Sequence, residues 1–339
     1  MLKSWWNHNM VQVTQKKLNG KIKTCRLPEA VRVHWFAKPS KLIFLQGHTN
    51  ITSVIRRLAD HVDENDAIFD HIHGNDTASL TLAIHVRLGR GPFPMDLQTL
   101  WGIFVDEDSL VRNGLDTLLT ITKLGLICKI SRPFQKTAMS EQLDVVANWV
   151  QNLKNLRSLM LKSFDELNQP WDLHLESLSS HVDLTSIYLT GKLKNQHLVS
   201  EFPQNLVELT LSASGLAEDP MQILDKLPNL QILILMSKSF TGKKMLCSFG
   251  GFPKLEVLKF KKLEPLEEWN VEEGALPSLK SLEIDECTYL MVLPDGLRHV
   301  RTLRELKVRK LPVLSSRIKD NQGEDWNKIA HGCHVLIED

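Results

Sequence analysis

The chain has 339 residues, of which 42% are hydrophobic and 24% are charged, and its formal net charge is +1 at pH 7. This composition is typical of a folded protein and argues against a nucleic-acid binder, which would carry an excess of basic residues. The sequence shows no signal peptide and no apolar run of membrane-spanning length, so no membrane span is expected. Its five cysteines are scattered without a CxxC pair, which predicts a reducing, cytoplasmic setting and no zinc site.

The first ninety residues show no repeating period. VQVTQKKLNGKIKTCRL alternates in polarity on both sides of Asn19-Gly20, a dipeptide that tolerates the positive φ angles of a tight turn. We therefore predict a β-hairpin with strands near 11–16 and 21–26. The segment ITSVIRRLADHV, residues 51–62, is predicted to be a helix because a Thr-Ser pair near its start suits an N-cap.

Residues 60–76, DHVDENDAIFDHIHGND, contain three histidines and five aspartates. His71 and His73 could face one side of a strand, as metal ligands would, but the same composition suits a solvated linker, and we predict no metal site. ASLTLAIHVRL, residues 78–88, has the character of a strand. Because there is no GxSxG motif and no recognisable catalytic pairing, we predict no enzymatic activity.

From residue 121 onward a short apolar pattern, L-x-x-L-x-L, recurs with Ile, Val or Phe as the only replacements. All 24 template positions of its eight full rows are apolar. An earlier row at Leu97 fits the first two positions and places Gly102 at the third. The eight full rows are ITKLGL at Ile121, LRSLML at Leu156, LTSIYL at Leu184, LVELTL at Leu206, LQILIL at Leu230, LEVLKF at Leu255, LKSLEI at Leu279 and LRELKV at Leu303.

The rows begin 24, 35, 28, 22, 24, 25, 24 and 24 residues apart, counting from Leu97. Leucine-rich repeats have periods of about 20–29 residues, so only the 35-residue interval needs an insertion. Each row predicts a short strand whose alternate side chains enter a shared core. The predicted fold is an α/β leucine-rich-repeat solenoid, a curved horseshoe with parallel strands on its concave face.

The insertion and the C-terminal tail are predicted to be accessory elements of this solenoid. MSEQLDVVANWVQNLKNL has apolar residues at helical spacing after Ser140, which we predict as the N-cap of a packing helix; a docking helix is the alternative. The tail after about residue 311 is predicted to be a terminal cap. The expected domains are therefore residues 1–90, a hairpin and helix segment, and 91–339, the repeat domain.

The residues between the rows point to one family. Four segments carry the resemblance: DLQTLWGIFVDED at Asp96, FPQNLVELTLSASGLAEDPM at Phe202, LPNLQILIL at Leu227, and GGFPKLEVLKFKKLEPLEEWNVEEGALPSLKSLEI at Gly250. They resemble the repeat domain of plant intracellular disease-resistance proteins of the nucleotide-binding, leucine-rich-repeat type with a coiled-coil N-terminus. The resemblance implies recognition of a pathogen effector or a guarded host protein, and possible contact with a nucleotide-binding module of the same receptor.

The predicted hairpin is similar to the wing of the winged-helix subdomain that ends that family's nucleotide-binding module. In the family a motif with a histidine that faces ADP follows the wing, but here the corresponding stretch is Arg26-Leu27-Pro28-Glu29. The chain also contains no GxxxxGK[ST] loop. We therefore expect no cofactor, with ADP or ATP relevant only where an upstream module is present, and a chain that corresponds to the C-terminal part of such a receptor.

The outward positions of the predicted strands are the candidate partner contacts. Met160, Ile234 and Tyr188 stand out because they would expose apolar surface, which either a partner or close neighbours on a curved sheet could cover. The candidate residues are Arg157, Ser158, Met160, Ser186, Tyr188, Glu208, Thr210, Ile232, Ile234, Val257, Lys259, Ser281, Glu283, Glu305 and Lys307.

Two further hypotheses accompany this one. The basic run Lys259, Lys261 and Lys262 could hold a phosphate, although a solvated strand edge is favoured by the near-zero net charge. As a function, a substrate-recognition adaptor of a ubiquitin ligase is the alternative, because LPEAVRVHWF from Leu27 has a superficial likeness to the short helical box of such adaptors.

Overall fold

The structure is a computed structural model that describes side chains over residues 97–109, 111–112, 114–319, 323–329 and 332–338, and the backbone alone over 12–16, 22–26 and 57–59. The chain divides into two units, the first formed by Met1–Val54 and His61–Ala83 and the second by Ile55–Asp60 and Ile84–Asp339. In the first unit, strands β1 (Gln12–Lys16) and β2 (Ile22–Arg26) pair in antiparallel fashion. The two predicted hairpin strands are confirmed to within one residue.

The second unit is built on one long parallel sheet. The described residues place eleven strands in it, and each pairs with the strand of the preceding repeat. From one edge to the other the strands are β3 (Arg57–Ala59), β4 (Thr99–Val105), β5 (Lys123–Lys129), β6 (Ser158–Phe164), β8 (Ser186–Thr190), β10 (Glu208–Ser212), β11 (Ile232–Leu235), β13 (Val257–Lys261), β15 (Ser281–Asp285), β16 (Glu305–Arg309) and β17 (His334–Glu338).

The segments that lead from one strand to the next are shorter and less regular. They contain three α-helices in the described part, α1 (Lys136–Asn152), α2 (Met221–Leu224) and α3 (Pro312–Ile318). Four other return segments form two pairs of short parallel strands, β7 (Asp172–Leu173) with β9 (Lys192–Leu193) and β12 (Lys244–Cys247) with β14 (Glu268–Val271).

The core is a stack of leucine rows between the sheet and the return segments. Every one of the 24 template positions is at most 1% exposed. A fully buried leucine stabilises a fold by about 1.5–3 kcal/mol, and each row also covers the rows on either side of it, so the repeats stabilise one another. The second unit of the chain confirms the predicted leucine-rich-repeat solenoid.

The first row shows how the chain accommodates a glycine at a template position. Leu100 pairs with Leu124, but Ile103 then pairs with Leu126, so β4 contains a bulge. Gly102 lies in this bulge with a φ of 75°, a conformation that glycine adopts without steric penalty. The bulge lets Ile103, which is 3% exposed, fill the core position that Gly102 leaves empty.

A sharp corner follows most of the later strands. One residue after or close to each strand end takes a left-handed conformation, with φ between 53° and 56°. None of these corner residues is glycine, so the surrounding repeat must hold each of them in the strained left-handed region of φ. They are Ala213, Lys238, Lys262, Glu286 and Lys310.

The helix predicted over residues 51–62 is wrong where the structure describes that segment. Arg57–Ala59 is strand β3, and it pairs in parallel with Thr99–Trp101 of β4. Pairing with an existing sheet edge outweighs the weak local preference for a helix. The strand predicted at 78–88, the histidine-rich segment 60–76, the LPEAVRVHWF stretch and the domain boundary at residue 90 all lie outside the described residues, and the boundary stays a prediction.

The insertion helix is present as α1, but its start was misplaced. It begins at Lys136 with Gln135 in the N-cap position, so Ser140 lies inside the helix. The predicted apolar face, formed by Leu143, Val146, Ala147 and Val150, is buried. The Trp149 indole N–H also donates a hydrogen bond of 3.2 Å to the carbonyl oxygen of Leu118, so this helix packs on the preceding return segment.

The C-terminal tail contains more than the predicted cap. After α3, strand β17 adds a further parallel strand to the sheet, with Val335 aligned to Leu306 and Ile337 to Val308. This row begins with Gly332 where the other rows have leucine or isoleucine, which hides it from a search for the L-x-x-L-x-L pattern. The period is 29 residues from Leu303 to Gly332, at the upper end of the usual range.

Candidate protein-binding face

The parallel register brings the candidate residues together on the sheet face away from the leucine core, here called the open face. Residues two apart on a strand share a face, so the aligned strands β6 to β16 form rows across it. The leading row is Ser158, Ser186, Glu208, Ile232, Val257, Ser281 and Glu305; the middle row is Met160, Tyr188, Thr210, Ile234, Lys259, Glu283 and Lys307. Arg157 immediately precedes the leading row.

The two rows differ in exposure. All leading-row side chains are half-buried or exposed, whereas every middle-row side chain except Lys307 is buried. Met160, Ile234 and Tyr188 are only 2%, 7% and 8% exposed, so of the two alternatives given for these residues the structure agrees with coverage by close neighbours. Neighbouring strands lie only about 4.8 Å apart, so large side chains in one row cover one another. A partner on this face would contact the leading row, and the buried middle row lies beside it, two residues further along each strand.

The N-terminal part of the open face is aromatic and aliphatic. Gly125 has no side chain, and its neighbours fill that space. A Cβ at this position would lie 2.7 Å from the ring of Trp101 and 3.0 Å from the terminal methyl of Met160. The indole and the thioether thus close over the glycine backbone. One strand further along, the Lys162 ammonium lies 5.0 Å from the centre of the Tyr188 ring, within the range of a cation–π interaction.

The C-terminal part of the open face is organised around one buried carboxylate. Glu283 accepts the Lys259 ammonium at 2.8 Å, the Lys261 ammonium at 3.3 Å and the Arg309 guanidinium at 3.4 Å. The Lys259 and Glu283 side chains are only 5% and 4% exposed. Burial tends to raise the pKa of Glu283, but hydrogen bonds and positive charge from Lys259 and Lys261 outweigh it and lower that pKa to about 2. Burial lowers the pKa of the Lys259 ammonium.

Charge alternates along the strand ends next to this carboxylate. Lys261, Asp285, Arg309 and Glu338 are aligned on consecutive strands with signs that alternate from one to the next. The Arg309 guanidinium lies 3.0 Å from the Glu338 carboxylate, and its Nη2 donates a hydrogen bond of 3.5 Å to Glu338. Within this end of the open face, Glu283 and Glu338 form ion pairs with basic side chains of neighbouring repeats.

This network corrects the interpretation of the basic run. Lys259 and Lys261 were predicted to be a solvated edge, with a phosphate patch as the alternative, yet both are paired to Glu283 and Lys259 is buried. Lys262 lies 3.5 Å from Glu286. All three ammonium groups face carboxylates one repeat away, so they form no free phosphate-binding patch, and the solvated edge describes only Lys262, whose side chain is 55% exposed.

Within the residues that the structure describes, no group of three or more His, Cys, Asp or Glu side chains is arranged to hold a metal ion. Cys128, Cys247 and Cys287 are buried free thiols, and burial raises the pKa of each to about 12. Such thiols stay protonated near neutral pH, so they pack as small apolar groups and do not act as nucleophiles. The metal hypothesis at His71 and His73 lies outside the described residues.

The sequence predicted all fourteen members of the two rows, but it did not predict the contacts between their side chains. Neither the pairing of Lys259 with Glu283 nor the packing of Trp101 on Gly125 was predicted. A signal for the first did exist, because Lys259 and Glu283 are opposite charges 24 residues apart at the same phase of the repeat. No helix among the described residues has the length and apolar character that crossing a membrane requires.

A parallel strand, a corner and an irregular return segment, repeated about every 24 residues around a leucine stack, define a leucine-rich-repeat protein. Residues 95–324 match the model of a family described as a leucine-rich repeat region. That match covers more than half of the chain, and the chain belongs to this family.

Its relatives include several proteins of Arabidopsis thaliana. The chain is 35% identical to disease resistance protein RPP8 over 240 residues and 32% identical to disease resistance protein RPH8A over 238 residues, in each case 70% of this chain and 25% of the relative. It is 36% identical over 255 residues to probable disease resistance RPP8-like protein 2, covering 73% of this chain and 27% of that protein. The resemblance inferred from the sequence is confirmed, and the chain spans about a quarter of the length of these relatives.

Proposed function

We propose that this chain is the recognition part of a plant disease-resistance protein and that it binds another protein through the leading row of the open face. The proposed partner is a pathogen effector or a host protein that the receptor guards. Binding would rest on distributed non-covalent contacts and would involve no catalysis. The similarity to proteins named for disease resistance supports the biological setting. The geometry of the leading row supports the choice of surface.

The observation that carries the proposal is the continuity of the leading row. Seven adjacent strands align its side chains without interruption, and six strand spacings of about 4.8 Å give a length of about 29 Å. A surface of that length can supply one side of a typical protein interface, about 800 Å². Buried side chains beneath it hold the strands in fixed positions, so little ordering would be needed on binding.

Ile232 and Val257 are the expected centre of this interface. They are adjacent, half-buried aliphatic residues on β11 and β13, and serines or glutamates occupy the other leading-row positions. Interfaces concentrate their binding energy in central apolar residues that a rim of polar residues shields from water. The neighbouring Glu208 is exposed, so it would contribute to the rim.

The cellular setting is also part of the proposal. Buried free thiols at Cys128, Cys247 and Cys287 suit a reducing compartment, so we place recognition inside the plant cell. The resemblance to nucleotide-binding receptors adds a second role, in which the repeat domain contacts a nucleotide-binding module and restrains it. The structure supports that role only by providing a rigid surface that could dock on such a module.

Site-specific photocrosslinking in plant tissue tests the proposal. A photoreactive amino acid placed at Ser186 or Val257 should capture a pathogen or host protein during infection. The same residue at Ser200, which is exposed in the return segment Gln196–Glu201, is the matched control and should capture none of it.

The captured protein then allows a quantitative test. Ile232→Asp and Val257→Asp should each weaken its binding at least tenfold, because each places a charge in the proposed apolar centre. Ser200→Asp should leave binding unchanged. Equal capture from Ser200 and Ser186, or full affinity in both aspartate variants, would contradict the proposal.

A further inference from the structure

We propose that strand β11 accepts an amphipathic α-helix of the partner protein, which lies along the strand and across the open face. This inference rests on the proposed function for the source of the helix, and it adds the kind of element that the partner presents. It depends on residues of β11 and the corner after it, so its tests are separate from those at Ser186 and Val257.

β11 differs from its neighbours in the side chains that it directs to the open face. Among the described strands of the long sheet from β6 to β16, only β11 has apolar residues at three successive outward positions, Ile232, Ile234 and Met236. The Met236 N–H donates a hydrogen bond of 2.8 Å to the carbonyl oxygen of Leu211 on β10, so the ladder continues through Met236. Residues two apart on such a ladder share a face, and these three residues are here called the apolar strip.

The exposure of the apolar strip leaves room for a covering element. Ile234 is 7% exposed, whereas Ile232 and Met236 on either side of it are half-buried. A strand that is apolar on both sides is typical of a sheet with both faces covered. The leucine core covers one side of β11, so the apolar strip is the side on which a partner element would complete the cover.

The backbone of β11 favours a helix over an extended segment. Its own backbone groups pair with β10 and β13, so the open face offers a partner side chains alone. An extended segment would bring N–H and C=O groups against the strip without partners, which is costly, whereas a helix pairs these groups internally. Helix residues four apart lie about 6 Å apart on one face, close to the spacing of about 6.6 Å along the strip. Apolar residues at i, i+4 and i+8 therefore match it.

An exposed charge lies near each end of the strip and sets the direction of the helix. Glu208 is aligned with Ile232 on the neighbouring strand, and Lys238 follows Met236 by two residues. Among the described residues neither charge has an ion-pair partner, although the Glu208 carboxylate accepts a hydrogen bond of 3.3 Å from the Ser186 hydroxyl. A helix carries partial positive charge at its N-terminus and partial negative charge at its C-terminus. The helix N-terminus therefore fits beside Glu208 and the C-terminus beside Lys238.

A designed helical peptide tests the fit to the whole chain. The probe is a stapled helix of about sixteen residues, with leucines at i, i+4 and i+8 and uncharged polar residues elsewhere. Fluorescence anisotropy should show saturable binding. A stapled peptide of the same composition, with its leucines spread around the helix, should not bind. Equal binding of the two peptides, or no binding of the first, would overturn the inference.

Met236→Asp tests whether the probe lies on the apolar strip. It places a charge in the strip and should weaken binding of the probe at least tenfold. Ser158→Asp is the matched control, because it adds the same charge at a half-buried position of the same face, three strands from β11. Binding to this control should be unchanged. Equal affinity of the two variants would contradict the assigned location.

Two charge reversals test the ends of the strip without changing its packing. Glu208→Lys and Lys238→Glu should each weaken binding of the probe about threefold at low salt, and added salt should reduce both effects. Glutamate is compatible with the corner conformation, since Glu286 takes a similar φ of 53°. Glu218→Lys, at an exposed position of the return segment after β10, is the control and should leave binding unchanged. Charge reversals without effect on affinity would refute the role of the two ends.

Photo-leucine in the probe tests the orientation. At the first leucine it should crosslink to Ile232 or its neighbours at the start of β11, and at the third leucine to Met236 or Lys238. Mass spectrometry of the crosslinked peptides identifies the residues. Crosslinks in the reverse order, or crosslinks outside β11 and its neighbours, would contradict the inference.

These experiments also distinguish this inference from the proposed function. If Val257 captures a natural partner but the probe does not bind β11, the helix is refuted and the proposed function stands. If the probe binds the apolar strip but no natural partner is captured, the fit of a helix is supported and the proposed function fails.

Discussion

The two ends of the open face lie on the same leucine core yet are filled in different ways. At the N-terminal end Trp101 and Met160 close over Gly125, so the face is held by apolar contact. At the C-terminal end Glu283 neutralises Lys259 from the neighbouring repeat, so the face is held by charge. All repeats share the same leucine core. On the open face, however, side chains of one repeat contact those of the next, so each repeat depends on which residues its neighbour carries.

This difference affects how each end should respond to change. An apolar contact tolerates a small loss of shape, because the side chains can shift and fill part of the gap. A buried ion pair does not, because removal of one partner leaves an unneutralised charge away from water. The C-terminal end should therefore be the more sensitive to single substitutions and the less sensitive to paired ones.

The largest expected effect comes from Glu283→Ala. It leaves Lys259 buried beside Lys261 and Arg309, with no carboxylate between them, so we expect a loss of about 3–5 kcal/mol in the free energy of unfolding. Urea unfolding followed by circular dichroism measures it. The double variant Lys259→Met with Glu283→Leu removes both charges and should be close to the wild type. A double variant as unstable as the single one would show that the ion pair is not the cause.

The same carboxylate gives the next effect, on pH dependence. Because the pKa of Glu283 is lowered from 4.5 to about 2 in the folded chain, its contribution is fully present above about pH 4.5 and is lost as the pH falls toward 2. The melting temperature of the wild type should therefore fall more steeply in this window than that of Glu283→Gln. Parallel pH profiles for the two proteins would contradict the assigned environment.

A smaller effect is expected at the apolar end. Gly125→Ala places a Cβ 2.7 Å from the Trp101 ring, so the indole must move, and we expect a loss of about 1–3 kcal/mol. Adding Trp101→Ala should reduce the additional penalty from Gly125→Ala, since the clash is then absent. A double-mutant cycle in thermal unfolding measures this coupling. Additive losses would mean that the ring does not cause the effect.

The smallest effect should come from a pair outside the open face. Lys243 and Glu267 lie 2.6 Å apart with both side chains largely exposed. Lys243→Ala should change the free energy of unfolding by no more than about 0.5 kcal/mol, and added salt should remove the difference. A loss comparable to that of Glu283→Ala would show that exposure does not separate the two kinds of ion pair.

The sequence predicted the repeat because its information is local and periodic. Leu159, Leu233 and Leu282 each sit in a row whose spacing alone assigns them to the core, and all three are buried. Parallel pairing then determines which residues share a row of the open face, so the membership of both rows also followed from the sequence.

What the sequence did not provide depends on contacts between repeats. The sequence left open whether a partner or neighbouring side chains cover Met160 and Tyr188, because their own strand gives no sign of the side chains that lie on adjacent strands. Strand β17 was missed because Gly332 replaces the first leucine of its row, and β3 because sheet pairing outweighed a helical pattern. The coverage of Met160 and Tyr188 and the pairing of β3 thus depend on residues about one repeat away or more in the chain, whereas β17 was hidden by a single replacement in its own row.

The left-handed corners have a consequence for how such a molecule can change over generations. Lys262, Glu286 and Lys310 stand seven residues after the start of their rows and share φ values between 53° and 55°. A recombination event that removed or duplicated one 24-residue unit between such corners would rejoin the backbone in the same conformation. Descendants could thus gain or lose whole modules with the backbone conformation preserved, provided that a buried charge such as Lys259 keeps a carboxylate in the neighbouring repeat.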